Sequence, residues 1–71
     1  MIKTAKDLGI AIRQRRKEMG LSQAELAGIC KVGNRFLVEL EAGKSTVQFD
    51  KALHVAANLG LELHLRKKGE A

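Results

Sequence analysis

The chain has no proline and a single cysteine among its 71 residues. One cysteine excludes an internal disulfide, and Cys30, His54 and His64 are too scattered to build a zinc site. Neither a metal nor a cofactor is expected. No apolar run approaches the roughly 20 residues that span a bilayer, which argues against a membrane partner. Met1-Ile2-Lys3 opens neither a signal peptide nor a transit peptide, so a cytoplasmic location is expected. Low-complexity segments and internal repeats are missing too. So are catalytic constellations: no nucleophile stands beside a base, no acids are paired, and no glycine loop could cradle a phosphate. The pattern is that of a non-enzyme.

A chain this short makes one domain, and it buries only about 60% of its unfolded surface. Self-association is the expected extra source of stability. What the chain does have is positive charge, +5 at neutral pH, and that charge is clustered. Arg13, Arg15, Arg16 and Lys17 share one segment, Lys31, Arg35 and Lys44 surround a second, and Arg66, Lys67 and Lys68 lie near the end. Clustered basic residues are the electrostatic footprint of a polyanionic partner such as nucleic acid.

Without proline, helices are bounded by caps and glycines. Thr4-x-x-Asp7 has the form of a capping box. Leu8, Ile12, Arg16 and Met19 then fall on one helical stripe, predicting a helix over 5–19 that Gly20 stops. Ser22-x-x-Glu25 opens a short second helix through Ile29, with Leu26, Ile29 and Cys30 as its apolar side and Ala27 small enough for a close neighbour. Residues 34–41 read as a third helix, with Leu37 and Leu40 inward and Gly43 at its end. Ser45 or Thr46 caps a fourth over 47–59, with Phe49, Leu53, Ala56 and Ala57 as its buried stripe. Asp50 sits in its first turn, where negative charge suits the helix dipole. The period then changes: Leu61, Leu63 and Leu65 alternate with Glu62, His64 and Arg66, as in a half-buried strand. A lone strand needs a partner, and the simplest is its own copy across a two-fold axis. The domain is thus expected to span residues 1–66, with dimerisation through 61–66 and a loose tail at 67–71.

The run Leu21-Ser22-Gln23-Ala24-Glu25-Leu26-Ala27, followed by Val32-Gly33-Asn34-Arg35-Phe36-Leu37-Val38-Glu39-Leu40-Glu41-Ala42-Gly43, closely resembles the lambda-repressor/Cro type of helix-turn-helix. The geometry explains the pattern. Two short helices crossing at about 90–120° need a small residue in the first, apolar residues in the turn and the second, and short polar residues where the second begins. One position departs from it: Lys31 stands where such turns usually carry a left-handed glycine. Either Lys31 adopts that conformation, at about 1–2 kcal/mol, or Gly33 builds the turn differently.

The resemblance implies an all-α bundle of four or five helices that binds double-stranded operator DNA. Gln23 then matches the family glutamine that touches a phosphate and braces the recognition helix. Gly33, in the turn before that helix, is a DNA-binding candidate, and Asn34 and Arg35 begin the helix. Asn34 and Arg35 are candidates for base edges, Arg35 through O6 and N7 of a guanine. Phe36 either meets a thymine methyl or packs inward. Glu39 shares the outward face as a cytosine reader or a solvated acid. Lys44 and Ser45 match the phosphate-contacting loop. Arg16 and Glu41 match a family pair that ties the first helix to the third, the alternative being a snorkelling Arg16 on a solvated face.

Cys30 reads as a small buried apolar residue, His54 as a surface partner of Asp50, and His64 as outward on the strand. The terminal leucine alternation directly after Leu59-Gly60 is similar to HipB-like antitoxins. That similarity implies a homodimeric repressor, nucleoid-associated when bound to DNA, which autoregulates its operon and holds a HipA-like kinase toxin inactive. Two other readings remain: a stand-alone regulator without a toxin, and a protein-interaction module that does not bind DNA.

Overall fold

A computed structural model describes residues 1–69 and contains four helices: α1 (Ala5–Glu18), α2 (Gln23–Cys30), α3 (Asn34–Glu41) and α4 (Phe49–Asn58). The architecture is all-α, and no strand occurs among the described residues.

Both capping boxes form. The Thr4 hydroxyl accepts from the Asp7 amide at 3.1 Å, and the Asp7 carboxylate accepts from the Thr4 and Lys3 amides. The Lys3 amide is the largest influence holding the Asp7 carboxyl below its ordinary pKa. Ser22 and Glu25 repeat the arrangement at α2, where the Ser22 amide lowers the Glu25 pKa. α1 ends one residue earlier than expected, and Gly20 supplies a left-handed turn at φ 72°.

The core is Ile12, Leu26, Ala27, Cys30, Leu37, Leu40, Ala52, Val55 and Leu59, with Leu8, Leu21, Val32, Phe36, Val47 and Leu61 packed against it. Gly9 of α1 sits against α3 so closely that a Cβ there would lie 2.5 Å from the Leu40 carbonyl oxygen. Gly43, at φ 86°, is equally tight against Lys6. The two glycines let α1 lie directly on the C-terminal end of α3.

Several expectations need correction. Met19 is exposed because it caps α1 and lies past the stripe. Ile29 is 53% exposed, since the buried face of α2 centres on Leu26 and Ala27, over a quarter turn away. α4 begins at Phe49 after Gln48, which makes no side-chain cap bond, and Ser45 and Thr46 lie in the preceding turn. Its buried face is Ala52, Val55 and, just past its end, Leu59, so Phe49, Leu53 and Ala57 of the expected stripe turn outward and Ala56 is half-buried. His54 does not meet Asp50; its Nε2 lies 2.9 Å from the Cys30 carbonyl oxygen.

Residues 61–66 form no strand, because a single chain offers them no ladder. Leu61 tucks against the core, while Leu63 and Leu65 are exposed. Residues 67–69 are exposed; the rest of the expected tail lies outside the described residues.

Candidate nucleic-acid interface

α2 and α3 are joined by three residues, Lys31 to Gly33. Lys31 takes the left-handed conformation itself, at φ 58° and ψ 42°, and is the one described non-glycine residue to do so. The Val32 amide donates to the Ala27 carbonyl at 3.0 Å, which closes the turn. Gly33 is extended, at φ −67°, and serves as N-cap of α3 without a side chain to contribute. The turn therefore keeps its ordinary geometry with lysine in the glycine position.

Leu37, Leu40 and Glu41 face inward on α3. Asn34, Arg35 and Val38 face outward, and the Arg35 side chain is 90% exposed. Lys44 follows α3, and its ammonium donates to Glu39 at 2.8 Å. Lys44 is the largest influence lowering the Glu39 pKa. Ser45 is exposed in the next turn. Phe36 is half-buried against the core, its ring 5.7 Å from the Lys51 ammonium, so most of its apolar area is committed to packing.

Behind this face lies a buried ion pair. Arg16 Nε and Nη2 donate to the two Glu41 carboxylate oxygens at 2.6 and 2.9 Å, and Nη1 donates to the Leu21 carbonyl at 2.8 Å. Gln23 Nε2 donates to Glu41 Oε1 at 3.1 Å. One carboxylate at the end of α3 thus binds side chains from α1 and α2. Burial raises the Glu41 pKa, but the Arg16 and Gln23 hydrogen bonds and the Arg16 and Arg13 charges outweigh it, and the net shift is downward. The Glu41 hydrogen bond in turn raises Arg16. Such a bidentate pair fixes orientation as well as distance. Arg13, Ser22, Gln23 and Val38 line a shallow hollow above it.

Three features escaped the sequence reading. Arg15 Nε donates to the Leu59 carbonyl at 2.9 Å and ties α1 to the end of α4. Gly9 allows the α1–α3 contact, and its signal was a glycine inside a helix, which costs about 1 kcal/mol relative to alanine. Val38 is 44% exposed on the outward face of α3, a position that helical spacing after Asn34 and Arg35 could have supplied.

A short helix, a three-residue turn and a second helix with a polar, solvent-facing edge define a helix-turn-helix unit. The chain belongs to the helix-turn-helix family, whose model matches residues 12–65. It is 49% identical over 69 residues to an uncharacterised HTH-type transcriptional regulator, y4mF, of Sinorhizobium fredii, with 97% of this chain and 91% of that protein covered. Its fold is similar to that of a HipB variant solved in complex with an O2 20mer. The TM-score is 0.86 at 20% identity, covering 96% of this chain and 94% of that one.

Proposed function

We propose that the protein is a transcriptional regulator that binds double-stranded operator DNA through α3. The observation that carries this reading is the face of α3: Asn34 and Arg35 are exposed at its leading end, while Arg16, Gln23 and Glu41 lock its far end to α1 and α2. A locked helix presents its side chains to the major groove in one register, and affinity is not spent on ordering it. Arg35 is the candidate guanine reader, Asn34 a partner for adenine, and Val38 an apolar contact for a thymine methyl. Gln23, the extended Gly33 turn, Lys44 and Ser45 are assigned to positioning on the phosphates.

The protein acts as a homodimer through residues 61–66, which places two recognition helices on two half-sites. A further step makes it a repressor of its own operon and the antitoxin of a HipA-like kinase toxin. Support for that step is the likeness in fold to HipB across nearly the whole chain, together with the leucine alternation that follows Gly60.

An electrophoretic shift with the protein's own upstream region tests the reading. Arg35→Ala is expected to lose about 1–3 kcal/mol on that fragment and little on random duplex. An equal loss on both would remove Arg35 as a base reader.

A further inference from the structure

α3 carries two acids, and they are used differently. Glu41 turns inward to Arg16, whereas Glu39 is left on the side that the proposed function assigns to DNA. A bare carboxylate there would repel every phosphate that approached. It is not bare. Its Oε2 accepts from Lys44 Nζ at 2.8 Å, and the same oxygen lies 3.9 Å from Arg35 Nε. The main chain reinforces the contact, because the Lys44 amide donates to the Glu39 carbonyl at 3.0 Å. Lys44 is thereby bonded to one residue by backbone and side chain together.

We propose that Glu39 is a specificity-setting residue: in the free protein it holds Lys44 and stands within ion-pair distance of Arg35, the two cations assigned to DNA contact. The inference rests on the reading of α3 as the DNA-facing helix. A phosphate approaching Lys44 competes with the Glu39 carboxylate for the same ammonium. On arbitrary sequence the exchange gains little, since one anion replaces another and the freed carboxylate is left facing the duplex. On a site whose major groove offers a guanine to Arg35 and an amino hydrogen, such as cytosine N4–H, to Glu39, both freed groups find partners. Glu39 therefore weakens all binding and weakens non-specific binding most.

Fluorescence anisotropy with a labelled random 20-bp duplex, titrated at several salt concentrations, tests this. Glu39→Gln keeps the side-chain shape and removes the charge. It is expected to bind random duplex roughly two- to fivefold more tightly, the range of a surface ion pair. The salt slope should steepen by about one, as Lys44 becomes free to displace a counterion. In a Lys44→Ala background the gain should shrink, while thermal melts of Glu39→Gln stay close to the parent. If Glu39→Gln matched the parent in affinity and slope, the inference would be overturned with the function left standing. A gain of equal size in the Lys44→Ala background would also overturn it, since the effect would then be long-range charge alone. A parent that showed no salt-dependent binding to any duplex would remove both.

Discussion

Glu41 keeps its charge at the edge of the core because Arg16 and Gln23 supply every donor it needs nearby. Removing one partner of such a pair strands the other, at about 3–5 kcal/mol. Small domains have only about 5–15 kcal/mol in total, so Glu41→Ala is expected to lower the melting temperature by more than ten degrees or to unfold the protein. A variant that melted beside the parent would show that the pair does not hold the fold. The pH dependence has a definite sign. The Glu41 pKa is lower in the folded protein, so its stabilisation is full above the unfolded value, about 4.3, and is lost as pH falls through the folded value. The stability difference between parent and Glu41→Gln should therefore narrow in acid, read from urea titrations at several pH values. At Lys31 the strain runs the other way. Glycine takes the left-handed conformation without steric cost but loses more backbone freedom on folding, so Lys31→Gly should raise stability by up to about 1 kcal/mol, a shift of a few degrees. An unchanged or lower melting temperature would mean that lysine sits there without strain. At this scale the two capping boxes, the Arg16–Glu41 positions and the cost at Lys31 were legible, because each depends on neighbours a few residues away or on a recognised motif, whereas the cap expected for α4 at Ser45 or Thr46 was misplaced. Arg15 was not, since its partner is a backbone carbonyl 44 residues along the chain.

The helices themselves were legible to within one or two residues, but not always their faces. In α3, Leu37 and Leu40 share one side while Asn34, Arg35 and Glu39 lie away from it, so only one rotation buries the leucines. In α4, Phe49, Ala52, Leu53, Val55, Ala56 and Ala57 surround most of the helix, and hydropathy alone does not choose among rotations. Leu59, beyond the last turn, decides it by anchoring the Ala52–Val55 side in the core. The contact of α1 with α3 makes a test at the same scale. Gly9→Ala drives a methyl against the Leu40 and Glu41 carbonyls, and overpacking of this kind costs about 1–3 kcal/mol. Chemical denaturation should show that loss, and Gly28→Ala, where a Cβ meets nothing, should show none. Equal effects would mean that α1 can move away from α3 freely. For the α3 face, Lys44→Ala should weaken binding to all duplexes, whereas Arg35→Ala should act on the operator alone.

At the scale of the whole molecule, one chain leaves apolar surface at Phe49, Leu53, Leu63 and Leu65. The alternation at Leu61, Leu63 and Leu65 led to the expectation of a strand, whereas residues 61–66 form none in the single chain and leave Leu63 and Leu65 exposed. In the proposed dimer these residues pair about a two-fold axis and set the recognition helices on half-sites about 34–36 Å apart, or a multiple of that. Leu63→Lys is then expected to sediment as a monomer at micromolar concentration, to keep its helical circular dichroism signal, and to lose most operator affinity. A dimeric Leu63→Lys that still bound the operator would place the interface elsewhere.

Sequence-specific DNA binding is the claim on which the rest depends. Its most direct test is a competition titration at physiological salt between the protein's own upstream region and random duplex of equal length. A preference of at least about a thousandfold for the upstream fragment is expected, the lower end of the range for specific regulators, carried by a site with half-sites spaced as above. Equal affinity for the two duplexes, or none for either, would contradict it.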